Sequence, residues 1–120
     1  MKNEPSSYTP DWESIDSHPL PDWFDDAKLG IFIHYGPYSD VRSQPNRHEF
    51  IKPEYLTADN FDARKWVEIA RQSGARYMIF TAKHGGGYAM YNSRYTEWNS
   101  FNGKPGRDFV RELSEACSEA

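Results

Sequence analysis

The sequence predicts an α/β fold built on parallel strands, and three observations carry that prediction. The first is Lys28-Leu29-Gly30-Ile31-Phe32-Ile33-His34-Tyr35-Gly36, an apolar, β-prone run that stops at a histidine, an aromatic and a glycine. A strand half exposed to water would alternate apolar and polar residues. A continuous run bounded by turn residues fits a strand covered on both faces, although a short buried helix shows the same run. The second observation is a repeat of the pattern: Tyr77-Met78-Ile79-Phe80-Thr81-Ala82 ends at Lys83-His84, before Gly85, Gly86 and Gly87. The third is the helical periodicity between the two runs. Strand, helix, strand implies a right-handed parallel crossover. His34 and His84 then emerge at one rim, the C-terminal ends of parallel strands, where α/β folds hold their chemistry.

Composition sets the bounds. The chain has 120 residues, about the size of one small domain. Lys and Arg number 14 against 18 Asp and Glu, a formal net charge of −4 with no basic run, which argues against nucleic acid as a partner. No stretch approaches the roughly 18 apolar residues of a membrane span. Met1-Lys2-Asn3-Glu4-Pro5 lacks the apolar centre of a secretory signal, so the expectation is a cytoplasmic protein, or a secreted or periplasmic one if the true start is missing. Cys117 is the single cysteine, which rules out an internal disulfide and a cysteine-based metal site. Aromatic residues make up 16%, many of them in loops near the two histidines. Rings build cores first. Clustered beside a polar site, they also suit a sugar, whose C–H patches pack on ring faces while hydroxyls hydrogen-bond.

In chain order, residues 1–22 read as a polar, proline-rich lead-in, with Trp12 a candidate anchor and His18 facing solvent. Residues 23–120 carry the strand and helix patterns. Trp23-Phe24-Asp25-Asp26-Ala27-Lys28 is a short helical turn feeding the first strand. Asp25 and Asp26 are adjacent and do not share a face, so they serve solvation and capping rather than acid–base chemistry. A loop of roughly twenty residues, Tyr35 to Leu56, follows His34. Loops this long in compact domains are usually functional or disordered, and Tyr35, Tyr38, His48, Glu49, Phe50 and Tyr55 favour ligand contact. Asp62 is the expected N-cap of the next helix, whose Ala63, Trp66, Ile69, Ala70 and Ser73 fall on one stripe. Gly74 is its expected C′ stop.

The glycine run fails as a phosphate loop. No Lys-Ser/Thr follows it, and Met90 stands where Gly-x-Gly-x-x-Gly needs its last glycine. The glycines rather let the backbone turn sharply or approach a ligand. Tyr88, Met90, Tyr91, Tyr95 and Trp98 form a second aromatic rim loop. Gly103-Lys104-Pro105-Gly106 is a turn. Arg107-Asp108 opens a second helix with Phe109, Leu113, Ala116 and Cys117 as its buried stripe and no stop signal before Ala120.

The segment from Lys28 to Ser39 resembles the Lys-Phe-Gly-Ile-Phe-Ile-His-Trp-Gly segment of the α-L-fucosidases, glycoside hydrolase family 29. Gly74 to His84 resembles that family's second strand. Asn92-Ser93-Arg94-Tyr95-Thr96-Glu97-Trp98-Asn99 and Arg107-Asp108-Phe109-Val110 also match, in order and spacing, so the likeness runs from about Trp12 to the end. The resemblance implies a (β/α)8 TIM-like barrel of which this chain holds the first two strand–helix units, with residues 23–120 as a partial glycoside hydrolase catalytic domain. It implies exo-hydrolysis of α-L-fucosides with retention, through two carboxylates and a glycosyl-enzyme intermediate, without a cofactor or metal. The implied partner is a fucosylated oligosaccharide or glycoconjugate. Carried over by position, His34 and His84 would hydrogen-bond the sugar, Glu49 would contact its hydroxyls and Phe50 would pack on its ring. Tyr35, Tyr88 and Tyr91 are further candidates. A neutral imidazole suits this work because it offers one donor and one acceptor to vicinal hydroxyls.

Three departures follow from the same comparison. Gly85 stands where the family carries a second histidine, so one sugar contact is absent. Tyr35 and Phe50 replace tryptophans. The family's nucleophile and acid/base lie beyond Ala120, so no catalytic residue is expected in this chain. A barrel of this type needs about 250 residues, and two strands leave unpaired apolar edges. The chain alone is therefore expected to aggregate or stay partly unfolded, and to be inactive. Two other readings use the same side chains. A non-catalytic sugar-binding protein would employ the rim without the acids. A metal enzyme would use His34, His84 and Glu49 as two histidines and a carboxylate, although no His-x-His or His-x-x-x-His spacing supports it.

Overall fold

In the computed structural model, which describes residues 8–37, 39, 53 and 56–120, both apolar runs are strands: β1 (Gly30–Ile33) and β2 (Tyr77–Phe80). They pair in parallel, with Gly30 opposite Tyr77 and Ile33 opposite Phe80. Four helices accompany them among the described residues, α1 (Trp12–Asp16), α2 (Asp22–Ala27), α3 (Ala63–Gln72) and α4 (Phe109–Glu119). The order is α1-α2-β1-α3-β2-α4. Helix α3 thus lies in the crossover between two parallel strands, as the sequence pattern demands.

The foot of the strand pair is fixed by rings. Tyr77 lies over Gly30, where a Cβ would overlap its ring carbons. Trp23 and Phe24 of α2 pack on the same ring at centroid distances of 5.9 and 5.7 Å. Lys28, at φ 54°, turns the chain from α2 into β1, and its ammonium donates to the Asp25 carbonyl.

Both long helices begin and end on local chemistry. The Asp62 carboxylate accepts from the Lys65 N–H at 3.0 Å, and Asp108 accepts from the Arg111 N–H at 2.9 Å. Each capping carboxylate satisfies a helical N–H that has no carbonyl partner, a contribution of about 1 kcal/mol. Gly74, at φ 85°, ends α3: its N–H donates to Arg71 and the Ala75 N–H to Ala70, the pairing of a Schellman motif.

Helix α3 packs on α4. The core between this pair and one sheet face holds Leu56, Phe61, Val67, Met90, Phe109 and Leu113, with Met78 and Phe80 packed against it. Phe61 stands edge-on to both Trp66 and Phe109, at 4.7 Å in each case. Arg107 ties the two helix starts together. Its guanidinium forks onto the Glu112 carboxylate, donates to the Phe61 carbonyl at 3.1 Å and lies over the Phe61 ring.

Several expectations are corrected. The strands are covered on one face only among the described residues. Phe32 and Ile79, partners in the register, are 59% and 43% exposed, because the helices lie on the side of Met78 and Phe80. The α3 stripe runs through Ala63, Val67 and Ala70, flanked by Trp66; Ile69 and Ser73 fall outside it and are exposed. Cys117 is exposed rather than a core residue, since Phe109, Leu113 and Ala116 already define the buried line of α4. Trp12 is 78% exposed and does not anchor the lead-in, which contains α1, capped by Asp11 through the Ser14 N–H. Tyr38, His48, Glu49, Phe50 and Tyr55 lie outside the described residues. No helix among the described residues is long and apolar enough to cross a membrane.

Candidate functional site

The parallel register carries both histidines to the same end of the sheet. His34 follows β1 directly, and the two-residue side-chain period puts it on the Phe32 side. The two rings stack at 4.7 Å. Beyond β2, the Thr81 N–H donates to the Ile33 carbonyl, so Thr81 stands beside the start of the His34 loop. Its Oγ1 is 3.2 Å from His34 Nδ1. That contact fixes the ring and sets the role of Nε2: a donor if Thr81 gives its hydroxyl proton to Nδ1, an acceptor if Nδ1–H donates to Thr81. His84 meets His34 edge-to-face, with centroids 5.6 Å apart.

The glycine run makes the turn that holds His84. The Gly87 N–H donates to the His84 carbonyl, and Gly87 sits at φ 81°, a region that disfavours any side chain. Lys83 then bridges Ala89, and the Met90 N–H returns to the Ala82 carbonyl. A Cβ at Gly85 would have no neighbour within 4 Å among the described residues.

Between these segments lies a cavity of about 120 Å³, with His34, His84 and Thr81 as its polar wall and Tyr88, Met90 and Trp98 as its apolar one. Tyr35 also lines it, yet its ring is held among Phe61, Trp66 and Phe109 at 5.2–5.7 Å, so it serves as a fixed wall. Tyr88 is buried, and its hydroxyl has no hydrogen-bond partner among the described residues. Burial raises its pKa, so the hydroxyl stays protonated at neutral pH. Tyr91 does not line the cavity. Glu49 and Phe50 lie outside the described residues.

The wall offers donors and acceptors for hydroxyls and apolar surface for C–H groups. No carboxylate belongs to it among the described residues, and no three metal-ligating side chains gather there. Sequence reasoning singled out the two histidines and placed Met90 and Trp98 in the second rim loop, but it did not pair Thr81 with His34. The available signal for Thr81 was its place as the first polar residue past the second apolar run.

A sequence model described as alpha-L-fucosidase matches residues 1–55 and 48–120. Human plasma alpha-L-fucosidase is 36% identical over 135 residues, covering 91% of this chain and 29% of that protein. The Thermotoga maritima alpha-fucosidase in complex with fucose superposes with a TM-score of 0.78 at 31% identity, over 94% of this chain and 35% of that one. An alpha-L-fucosidase from Lactobacillus casei in complex with α-L-fucose product gives a TM-score of 0.66 at 32% identity, over 81% and 36%. The chain spans under a third of the length of the curated relatives it matches.

Proposed function

The chain belongs to the alpha-L-fucosidase family, and on that premise we propose that it supplies the sugar-binding rim of a full-length protein that hydrolyses α-L-fucosides. The observation that carries the reading is the meeting of His34 and His84 at one end of a parallel strand pair, on the wall of a cavity with an apolar side. The polar wall receives the hydroxyls of the terminal sugar and the apolar wall its C–H face. Glu49 and Phe50, from the loop after β1, are assigned as further contacts, and Tyr91 as an outer one.

The two strands are read as the first pair of a (β/α)8 barrel, in which Phe32 and Ile79 face the interior. Such a barrel places the reacting carboxylates on later strands. The retaining mechanism then needs one carboxylate as nucleophile and one as acid/base, about 5–5.5 Å apart. Among the described residues the cavity wall has neither, and on this reading the segment binds and orients while the bond-breaking step belongs to later strands.

The test is hydrolysis of an aryl α-L-fucoside by the full-length protein, beside a panel of other aryl glycosides. Turnover of the fucoside is expected. His34→Ala and His84→Ala should each weaken transition-state binding by roughly 1–3 kcal/mol, the scale of a lost buried hydrogen-bond partner, and so lower kcat/KM by roughly 5- to 150-fold. No turnover of any glycoside, with L-fucose still bound, would leave a sugar-binding protein. Gly85, which offers no second imidazole to the sugar, favours one second reading, a relative acting on another sugar, and preference for another glycoside in the panel would establish it.

A further inference from the structure

His34 is held from two sides. Phe32 lies against the face of its imidazole, with centroids 4.7 Å apart and planes 25° from parallel. The Thr81 hydroxyl meets its edge at Nδ1. We propose that Thr81 is a positioning residue for His34: its hydroxyl donates to Nδ1, keeps the ring in the Nε2–H tautomer, and so makes the atom that meets the sugar a hydrogen-bond donor. The proposal rests on the fucosidase reading above and deepens it at one atom of the site.

Thr81 itself is placed by backbone. Its N–H donates to the Ile33 carbonyl at 3.0 Å, one step beyond the pairing of Ile33 with Phe80. A threonine is stiff at χ1, so the strand register carries through to the hydroxyl. The stack and the hydrogen bond both lie within the strand pair and the residues that leave it. Neither depends on what else covers the sheet.

The polarity follows from counting protons. A hydroxyl has one proton to give, and a neutral imidazole has one nitrogen to receive it. With Thr81 as the donor, a single hydrogen bond uses both. The reverse polarity, Nδ1–H onto Oγ1, calls for a further acceptor for the hydroxyl proton. The bond at one ring nitrogen sets the state of the other, so the proton of His34 sits on Nε2. With Nδ1 committed to Thr81, Nε2–H is the group that His34 brings to the cavity wall. It requires an oxygen lone pair from its ligand. A sugar hydroxyl supplies one and keeps its own proton for a second partner.

The experiment is long-range proton–nitrogen correlation on the full-length protein, labelled with nitrogen-15 histidine, at a pH well above the ordinary imidazole pKa of about 6.5. His34→Gln identifies the His34 signals by their loss. Wild-type protein and Thr81→Ser should both show His34 mainly as the Nε2–H tautomer. Thr81→Val should lower the ratio of that tautomer to the other by roughly two- to tenfold, the worth of one ordinary hydrogen bond. His34 found mainly as Nδ1–H in the wild type, or a ratio that Thr81→Val leaves unchanged or raises, overturns the proposal. Adding L-fucose should move the Nε2 resonance. If fucose leaves His34 untouched while the tautomers behave as stated, the sugar reading at His34 is overturned and the hold of Thr81 on the ring is not.

Discussion

Thr81 Oγ1 lies 3.2 Å from Nδ1 of His34, a hydrogen bond that joins the residue after β2 to the residue after β1. It exists because the parallel register puts Ile33 opposite Phe80 and sends both chains out at one rim. The imidazole at the cavity wall is therefore oriented by the neighbouring strand as well as by its own.

Thr81→Val keeps the shape and removes the hydroxyl, so on the proposed function it should raise KM of the full-length protein for an aryl α-L-fucoside by roughly two- to tenfold, the worth of one ordinary hydrogen bond. Thr81→Ser should restore binding. Unchanged binding in Thr81→Val with a loss in Thr81→Ser would mean that Thr81 acts only through packing.

Gly103 and Tyr88 are coupled. A Cβ at Gly103 would overlap the Tyr88 hydroxyl and lie 2.9 Å from the Asn99 carbonyl. Gly103→Ala should destabilise the full-length protein by about 1–3 kcal/mol in denaturant unfolding, as overpacked sites do. Tyr88→Phe removes a buried hydroxyl that has no partner among the described residues, so alone it should stabilise by about 1 kcal/mol. In the double variant the penalty at Gly103 should shrink. Strict additivity would show that the Asn99 carbonyl is the only obstacle.

Arg107 holds α4 to the segment before α3, through Glu112 and the Phe61 carbonyl. Arg107→Met keeps much of the stem packing on Phe61 and loses the fork, so it should cost about 1.5–3 kcal/mol, the range for bonds to a charged group. Unchanged unfolding would remove this tie from the account.

Glu68 accepts from Arg71 and, in second place, from Gln72, and these bonds lower its pKa from the ordinary 4.5 to about 2. A depressed carboxylate stabilises the fold above its unfolded pKa, and this contribution fades as pH falls through the folded value. The window is thus about pH 4.5 down to about 2. Carbon-13 titration of the Glu68 carboxyl should show a midpoint near the lower end, and Arg71→Ala should move it up.

The elements that sit on strong local signals were legible in the sequence. Asp62, Gly74 and Asp108 delimit α3 and start α4 where their chemistry requires. The two apolar runs predicted parallel strands because both stop at a histidine and flank one helix. What escaped depended on layers rather than on local pattern. Nothing in the first strand's run separates the exposed Phe32 from its half-buried neighbours until the helices are seen on one face. Ile69 and Val67 differ by a rotation that only packing against α4 decides. Cys117 follows Ala116 and reads as its equal, yet it lies past the buried line. At the site, two histidines at matching strand ends and Trp98 in a rim loop were visible in advance, whereas the pairing of Thr81 with His34 depends on the strand register.

The most direct test is a crystal structure of the full-length protein with L-fucose bound. The account predicts ring nitrogens of both His34 and His84 within hydrogen-bond distance of sugar hydroxyls, about 2.7–3.2 Å, with Thr81 still on His34 Nδ1. A sugar bound elsewhere, or touching neither imidazole, would contradict it.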